Sequence, residues 1–461
     1  MTESRPWLRF YGKVPHGLSY PEITLYDAVA ATAARVPDAI AWDFLDRTSS
    51  YRAFLADIDT CANALAATGL RAGERILISM PTSAQGVIAF YAANKLGALP
   101  ALIHPLSTTP EIEQYLDDSG ARIAVTLDAF YERFATVRPK TPLETLVLAR
   151  IPDYLAPLKK FGFWLTKGRK IPAVPEDARV RWWTDLMAGR HTAVSRAPAT
   201  TNDPAAILFS GGTTGLPKGI VLSNRNFISQ GMQAAAWGGV GESNSILAIL
   251  PIFHGFGLGV CVNAAFMVGG KSILVPTFSP KLVAKLLRSK RPSFLFGVPT
   301  LYDALARDES LAKVDLSCLC GAFSGGDTLP RPVKERFEKL VAEGGGRVKL
   351  LEGYGLTEAV TGIMAMPLQE YREGSIGIPF PDMLAKICRC GTTEELPPGE
   401  EGDICVSGPA VMIGYLDDPE ATRETLRVHA DGRTWLHTGD LGKMDADGFF
   451  YFTVRLKRMI K

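Results

Sequence analysis

The chain has 461 residues, of which 47% are hydrophobic and 21% are charged. This composition is typical of a globular protein and excludes a disordered chain, a collagen and a simple coiled coil as the main class. Fifty Lys and Arg against 48 Asp and Glu leave a net charge of +2, which gives no reason to expect nucleic-acid binding. The length allows roughly two to four domains.

Residues 1–17 lack the apolar core of a secretory signal, and no apolar stretch approaches the ~18 residues of a membrane-spanning helix. The seven cysteines are an odd number scattered over a long chain, which does not predict a disulfide framework. The two Cys-x-Cys pairs, at 318/320 and 388/390, lack the Cys-x-x-Cys spacing and the nearby His of a zinc site. We therefore expect reduced cysteines in strands or in the core, and a cytoplasmic protein.

The first part of the chain alternates between strand and helix patterns. Short apolar runs predict strands, whereas longer segments with a period near 3.6 residues predict helices. This alternation favours an α/β fold with a parallel sheet. The predicted strands are residues 75–80, 99–103 and 122–126, and the predicted helices are 84–96 and 110–120.

The alternation stops between residues 150 and 190, where four prolines interrupt the chain. One interpretation is a membrane-surface patch that collects a lipid-like substrate and makes peripheral membrane contact. The other is a solvated excursion between two subdomains, which we favour because the amphipathic stretch is short and interrupted by proline. The residues that raise the question are the basic Lys159, Lys160, Lys167, Arg169 and Lys170 and the apolar Phe161, Phe163, Trp164 and Leu165.

The second part of the chain again alternates between strand and helix patterns, and its pattern then changes to short strands. After residue 374, short strands between Pro and Gly turns predict a small antiparallel or barrel-like subdomain. The predicted strands are residues 205–209, 245–250, 271–275, 294–296, 347–351, 384–388, 402–407 and 448–453, and a helix is predicted at 281–289.

The strongest local motif is the loop Phe209-Ser-Gly-Gly-Thr-Thr-Gly-Leu-Pro-Lys-Gly219. Its small residues let backbone N–H groups approach phosphates, and its hydroxyls and one lysine add donors. It is not a Walker A loop, because Lys218 stands between Pro217 and Gly219 instead of following a glycine. The loop therefore predicts a phosphate site of another kind.

This loop resembles the phosphate-binding signature of the adenylate-forming enzymes, which include acyl- and aryl-CoA ligases, nonribosomal adenylation domains and beetle luciferases. The other signatures of that superfamily follow in its order, over essentially the whole chain. The resemblance implies two α/β subdomains with mainly parallel sheets (1–190 and 191–372), a small β-barrel-like subdomain (373–455) and a hinge (456–461). The matching segments are residues 250–257, 324–330, 354–358, 374–379, 399–404, 414–415, 435–440 and 455–457.

The resemblance implies ATP, Mg²⁺ and CoA as cofactors, and it assigns a role to each polar motif residue. Thr214, Glu358, His254 and Lys218 are the implied catalytic residues. The phosphate-binding residues are Ser210, Thr213, Thr214 and Lys218; Thr357 contacts the α-phosphate; Tyr354 stacks on adenine; Asp440 and Arg455 bind the ribose; and Glu358 binds Mg²⁺. The remaining implied nucleotide-binding residues are Gly211, Gly212, Gly215, Gly325, Gly326, Asp327 and Gly355.

The implied acyl site is apolar. Amino-acid-activating members carry an Asp near the motif at residues 250–257, and this chain has none there. Its small residues leave space for a sizeable hydrophobic acid, whether fatty, aryl or polycyclic. The implied acyl-binding residues are His254, Phe256, Gly257, Val298, Pro299, Gly325 and Gly353.

Lys457 occupies the position of the family's hinge, and only four residues follow it. The resemblance therefore predicts that the small C-terminal domain is absent from this chain, and that adenylation by this chain alone is slow and thioester formation nearly absent. We expect an acyl-CoA synthetase in the full-length enzyme. Transfer to an acyl carrier protein, a phosphate-releasing NTPase and a nucleotide-binding module without turnover remain as alternatives.

Overall fold

The structure is a computed structural model, and it describes residues 5–166, 168–210 and 217–455. The strands in chain order are β1 (Ile40–Phe44), β2 (Arg47–Ser50), β3 (Arg75–Ser79), β4 (Leu99–Leu102), β5 (Ile123–Leu127), β6 (Thr145–Ala149), β7 (Val180–Trp182), β8 (Pro204–Ser210), β9 (Lys218–Ser223), β10 (Ser245–Ala248), β11 (Lys271–Leu274), β12 (Phe294–Gly297), β13 (Gly321–Ser324), β14 (Leu350–Gly355), β15 (Gly362–Ala365), β16 (Ile378–Pro379), β17 (Leu384–Cys388), β18 (Glu401–Ser407), β19 (Gly414–Tyr415), β20 (Leu426–Val428), β21 (Thr434–Met444) and β22 (Phe450–Arg455).

Thirteen α-helices lie in the described part of the chain, and serine or threonine side chains cap several of their N-termini. They are α1 (Leu25–Arg35), α2 (Tyr51–Ala67), α3 (Ala84–Lys95), α4 (Thr109–Ser119), α5 (Tyr131–Val137), α6 (Pro157–Thr166), α7 (Trp183–Ala188), α8 (Asn224–Gly238), α9 (Ala264–Val268), α10 (Pro280–Lys290), α11 (Pro299–Arg307), α12 (Arg331–Glu343) and α13 (Pro419–Thr425). A π-helix spans Phe256–Asn263, and the 3₁₀ turns are Pro6–Phe10, Asp128–Phe130, Arg138–Lys140, Ile151–Tyr154, Gly168–Lys170, Glu309–Leu311 and Thr357–Ala359.

Two large sheets form the body. The nine-stranded sheet has the order β16-β15-β14-β13-β12-β10-β11-β1-β2, and the eight-stranded sheet has the order β19-β9-β8-β4-β3-β5-β6-β7. Six adjacent strands of each sheet are parallel, and antiparallel strands lie at the edges. The predicted α/β class with mainly parallel sheets is confirmed.

Helices cover both faces of these sheets. The largest hydrophobic core lies between the two sheets and includes residues of α1, α2, α3, α8 and α9. Two smaller cores lie on the outer faces, one under α10, α11 and α12 and the other under α4 and α5. Because α3 is buried on every side, it needs apolar or small residues all round, which its sequence supplies.

The third sheet is antiparallel and has the order β17-β18-β21-β20, with β22 paired to β21. It lies in the segment for which short antiparallel strands were predicted. The ladders among the described residues form an open path instead of a closed ring. Its long strand β21 carries the predicted ribose residue Asp440.

The two large sheets exchange chain segments, which the sequence did not indicate. The strands β1 and β2 belong to the nine-stranded sheet, whereas β8 and β9 belong to the eight-stranded sheet. The boundary predicted at residue 190 therefore does not separate the two sheets. Among the described residues, no helix combines the length and apolar character that crossing a bilayer requires.

Two of the predicted core cysteines are on the surface. Cys320 and Cys390 are exposed, and both lie outside the strands: Cys320 precedes β13 and Cys390 follows β17. Cys388 and Cys405 are buried in β17 and β18, as predicted. The structure also brings a histidine, His437, to 3.4 Å from Cys405 Sγ.

Candidate active site

A cavity of about 580 Å³ opens where β8, β12, β13 and β14 end. The carboxyl ends of parallel strands are the usual place for a ligand in an open α/β sheet. The cavity collects residues that are far apart in the sequence, from Phe209 in β8 to Arg455 in β22. The predicted residues that line it are Ser210, Lys218, His254, Phe256, Gly325, Gly326, Gly353, Tyr354, Gly355, Thr357, Glu358, Asp440 and Arg455.

The wall between β14 and β15 is a strained turn. Val360 has φ 63° and ψ −58°, and the Thr361 N–H donates to the Ala359 carbonyl at 2.7 Å. This is a γ-turn with a β-branched residue at its centre, a conformation that costs about 1–3 kcal/mol and is common at functional sites. The turn lets Thr357, Glu358 and Thr361 all line the cavity.

Two motif glycines make this turn possible. A Cβ at Gly255 would lie 1.6 Å from the Val360 carbonyl oxygen, and a Cβ at Gly355 would lie 1.7 Å from the Thr361 carbonyl oxygen. No side chain fits at either position, so the backbones of three separate segments meet directly. This close approach explains why both motifs carry glycine there.

A tyrosine, an aspartate and an arginine form one side of the cavity. The Tyr354 hydroxyl donates to Asp440 Oδ2 at 2.8 Å, and Arg455 Nε lies 3.5 Å from Asp440 Oδ1. Asp440 Oδ1 is buried and has no hydrogen-bond partner among the residues that the structure describes. Burial raises the pKa of the Asp440 carboxyl, against the hydrogen bond from Tyr354 and the charge of Arg455. The site therefore holds a carboxylate with one acceptor oxygen to spare.

A second carboxylate, that of Glu358, lines the cavity next to Thr357. Glu358 is 8% exposed, and its Oε1 accepts a hydrogen bond from the Tyr415 hydroxyl at 2.9 Å. Lys218 Nζ lies 5.0 Å from the centre of the Tyr415 ring and 3.1 Å from Asp418 Oδ2. Oxygen ligands and a nearby lysine are the groups that bind Mg²⁺ and phosphate.

His254 lies on the cavity wall beside these groups. Its Nδ1 accepts the Phe256 backbone N–H at 3.1 Å, so the neutral ring carries its proton on Nε2. Desolvation by the surrounding protein lowers the pKa of the imidazole below its ordinary value, which favours the neutral ring. It can donate one hydrogen bond through Nε2–H.

The other half of the cavity is apolar, and motifs did not reveal its residues. They come from one face of α8, from the π-helix and from strands of the nine-stranded sheet, so only the fold brings them together. Tyr415 was within a matching motif at residues 414–415, although no role was assigned to it. The residues that the sequence reasoning missed are Ala234, Trp237, Gly238, Val260, Phe296, Phe323, Thr361, Gly362, Met364, Ala365, Phe380 and Tyr415.

Four predicted residues do not line this cavity. A Cβ at Gly257 would lie 2.2 Å from the Pro251 carbonyl oxygen, so Gly257 serves backbone packing. Val298 and Pro299 begin α11, and the Asp327 carboxylate is exposed and accepts the N–H of Thr328 in its own turn. Further predicted residues lie outside the described residues: Gly211, Gly212, Thr213, Thr214, Gly215 and Lys457.

Comparison with known proteins identifies the family. The family model for AMP-binding enzymes matches residues 29–416. A long-chain-fatty-acid–CoA ligase of Bacillus subtilis (strain 168) is 34% identical over 467 aligned positions, which cover 100% of this chain and 82% of the relative.

Solved structures agree. A long-chain-fatty-acid–CoA ligase from Archaeoglobus fulgidus matches with a TM-score of 0.84 at 24% identity and covers 96% of this chain and 86% of its own. ATP-bound MatB from Rhodopseudomonas palustris matches with a TM-score of 0.79 at 27% identity and covers 94% of this chain and 79% of its own. The chain therefore belongs to the AMP-binding enzyme family and is an ATP-dependent acyl-CoA synthetase of the adenylate-forming superfamily.

Proposed function

We propose that this enzyme activates a long-chain fatty acid as an acyl-adenylate and transfers the acyl group to CoA. The observation that carries the proposal is the continuity of one cavity, in which polar groups around Asp440 and Glu358 give way to an apolar chamber. The name of the Bacillus relative supports the same acid class.

The chamber favours an extended apolar chain. Phe296 and Phe323 stack with ring centres 5.5 Å apart and form a flat wall, and Trp237 packs on Phe380 at 5.1 Å. Small residues also line the chamber, among them Ala234, and they occupy little of its volume. Each methylene buried there contributes ~0.8 kcal/mol, so affinity should rise with chain length until the chamber is full.

We assign the nucleotide to the polar half. Asp440 Oδ1 is a free acceptor for a ribose hydroxyl, and Arg455 offers a second contact. Tyr354 is held by its hydroxyl against Asp440, which fixes the ring as a platform for a base. Ser210 and Lys218, paired across β8 and β9, lie on the cavity wall where the phosphates would be held.

Glu358 is the proposed Mg²⁺ ligand. The donor set fits a hard cation, because Glu358, Thr357 and Ser210 all offer oxygen atoms to the cavity. The Tyr415 hydroxyl occupies only Oε1 of Glu358 and orients the carboxylate. When bound, Mg²⁺ offsets the repulsion between the phosphates and an incoming carboxylate. His254 can orient that carboxylate through Nε2–H, with no proton transfer needed from an acid that is already ionised.

A matched pair of variants in α8 tests the acid assignment. Ala234 lines the chamber, whereas Ala236 belongs to the same helix and does not. We expect Ala234→Leu to shorten the longest accepted fatty acid by several carbons and to leave the ATP affinity unchanged, and Ala236→Leu to change neither. Pyrophosphate release over a series of acids measures both. An unchanged chain-length profile in Ala234→Leu contradicts the assignment of the chamber.

We further propose that α6 contacts a membrane surface from which the acid is taken. Phe161, Trp164 and Leu165 are 62%, 53% and 43% exposed, and their spacing places them on one face of the helix. On the opposite side of the helix, Phe163 is half-buried and Lys159 pairs with Asp46 of the body. The helix thus presents its aromatic face to solvent, whereas an ordinary surface helix packs its apolar face against the protein core.

The basic residues around α6 favour contact with an anionic membrane surface. Residues 154–175 contain five basic residues and no acidic one. Arg169 lies 4.8 Å from the Trp164 ring centre, at the edge of the exposed face. An apolar face with a basic rim is typical of helices that lie in the interface of an anionic bilayer. The cytoplasmic location expected from the reduced cysteines stays a prediction.

Vesicle sedimentation tests this contact. The chain should bind vesicles of phosphatidylglycerol and phosphatidylcholine at least ~10-fold more tightly than vesicles of phosphatidylcholine alone. Replacing Phe161, Trp164 and Leu165 together with Ser should abolish vesicle binding. Replacing Leu106, Leu368 and Val428, which are also exposed, with Ser should leave vesicle binding unchanged. Equal binding of both triple variants contradicts the proposal, and so does self-association that depends on the α6 residues.

A further inference from the structure

The third sheet contains a buried polar cluster that the site described above does not use. It consists of Asp403 and Cys405 in β18, His437 in β21 and His429, which follows β20. His437 Nδ1 lies 2.8 Å from Asp403 Oδ2 and 3.4 Å from Cys405 Sγ, and His437 Nε2 lies 2.9 Å from His429 Nε2. All four side chains are buried.

The distances within this cluster are those of a hydrogen-bond network. Two ligands of a tetrahedral zinc ion, each about 2.0–2.1 Å from the metal, lie roughly 3.3 Å apart. Asp403 Oδ2 and His437 Nδ1 are closer than that, at a hydrogen-bonding distance. Both ring nitrogens of His437 are therefore engaged by protein groups.

The direction of the hydrogen bonds follows from the carboxylate. Asp403 can only accept, so His437 donates its Nδ1 proton to Asp403 Oδ2, and the Nε2 atoms of His437 and His429 share one further hydrogen bond. His429 is neutral at pH 7, because burial lowers the pKa of its imidazole to about 4. The two rings form a chain that ends on Asp403 Oδ2.

The second oxygen of Asp403 faces the active site. Asp403 Oδ1 accepts the backbone N–H of Gly439 at 3.0 Å, and Gly439 directly precedes Asp440. At this point the pairing of β18 with β21 is interrupted, since Asp403 lies opposite Leu441 while Cys405 lies opposite His437. One residue of β18 therefore faces three residues of β21, a bulge that re-aims the strand.

The bulge has a specific conformation. Gly439 has φ 69°, in the left-handed region, and Thr438 Oγ1 donates to the Ile404 carbonyl at 2.8 Å and accepts the Asp440 N–H at 3.1 Å. Asp440 directly follows this bulge, pairs with Arg455 of β22 in the ladder, and accepts the hydrogen bond from the Tyr354 hydroxyl. The Asp403 carboxylate fills the bulge and binds the N–H that the ladder leaves unpaired.

We infer that Asp403, held by His437 and His429, is a positioning residue that locks the bulge and aims the Asp440 carboxylate at the ribose. The inference rests on the proposed function, because it takes Asp440 as the ribose-binding group. Loss of Asp403 should release the bulge and cost the enzyme its recognition of the ribose hydroxyls, while the phosphate and acid contacts stay.

Calorimetric titration with ATP and with 2′,3′-dideoxy-ATP, which lacks both ribose hydroxyls, tests this. The unaltered chain should bind ATP at least ~10-fold more tightly than the dideoxy compound, as expected for hydrogen bonds to a charged group. Asp403→Ala should reduce this ratio to below about threefold. Asp403→Asn keeps an acceptor for the Gly439 N–H and should retain the ratio within about twofold.

The control is Ser407→Ala. Ser407 also lies in β18 and donates a hydrogen bond to β21, at the Thr434 carbonyl, away from the bulge. The Ser407→Ala variant should keep the full ratio of ATP affinity to dideoxy-ATP affinity. A general loss of structure would weaken both nucleotides equally and leave the ratio unchanged, so thermal melting of each variant accompanies the titration.

The results distinguish a wrong positioning role for Asp403 from a wrong ribose assignment for Asp440. If Asp440→Ala loses the ratio but a folded Asp403→Ala keeps it, the positioning role is wrong and the ribose assignment stands. If Asp403→Asn loses the ratio as fully as Asp403→Ala does, the bond to Gly439 is not what aims Asp440. If the unaltered chain shows no preference for ATP, the ribose assignment itself is wrong.

Discussion

The Asp440 carboxylate combines burial with an unused acceptor, and this combination has a cost in stability. Asp440 is 6% exposed, and burial raises the pKa of its carboxyl in the folded chain. The folded chain then binds protons more tightly than the unfolded chain, so the ionised carboxylate lowers stability as the pH rises above the unfolded pKa of ~3.9. A nucleotide that donates to Asp440 Oδ1 offsets this cost.

The variant Asp440→Asn separates the effect of the buried charge on stability from the effect of Asp440 on nucleotide binding. Because the amide cannot ionise, we expect a higher melting temperature than that of the unaltered chain at pH 8, and a gain that shrinks as the pH falls towards ~4. ATP affinity should fall by about 10-fold, since a charge-assisted hydrogen bond is lost. Calorimetry of unfolding and of ATP binding measures both. A variant that melts lower at pH 8 contradicts the stability argument.

Single residues were predictable where a motif fixes them. Tyr354, Glu358 and Asp440 stand in segments whose order along the chain is specific, and all three line one cavity. Ala234 and Trp237 carry no such signal, because a small or aromatic residue on a helix has many structural reasons to be there. Their role depends on which face of α8 meets the chamber, and tertiary packing decides that.

At the scale of elements, three irregular backbones shape the site. They are the γ-turn at Val360, the π-helix Phe256–Asn263 and the bulge at Gly439. Each replaces a regular hydrogen-bond pattern near the cavity, where π-helices and bulges are common. Regular strands were predictable from apolar runs, for example β17 at 384–388. The irregular ones were not, because they depend on contacts between distant segments such as Gly255 with Val360.

The histidine pair of the third sheet predicts acid sensitivity. Burial, together with the nearby charge of Lys386, lowers the pKa of His429 from 6.5 to about 4. The folded chain then binds fewer protons than the unfolded chain, so stability is lost as the pH falls from about 6.5 towards 4. His429→Gln should flatten this part of the stability profile.

Denaturant unfolding between pH 7 and pH 4.5 measures the profile. The surface variant His16→Gln is the control, since His16 is exposed. It should keep the acid sensitivity of the unaltered chain. An equally steep profile in His429→Gln would show that the sensitivity arises elsewhere.

For the whole molecule, the exchange of strands between the two large sheets determines where the site forms. Because β8 ends in one sheet and β12, β13 and β14 end in the other, their carboxyl ends meet around a single cavity. The alternation of strands and helices predicted a parallel sheet, and the family resemblance implied two α/β subdomains. Neither indicated the exchange of strands, since local pattern carries no information on which distant strands pair. The order of the motifs predicted that their residues share one site. It did not predict the sheet topology that brings those residues together.

The central claim is that this cavity joins ATP to a long-chain fatty acid. The exchange of labelled pyrophosphate into ATP tests it most directly, because only reversible adenylate formation produces that exchange and CoA is not required. With Mg·ATP, exchange should depend on added acid, increase from octanoate to hexadecanoate and be weak with benzoate, and the nucleotide product should be AMP. Exchange that is equal for benzoate and hexadecanoate, or formation of ADP and phosphate instead, would contradict the account.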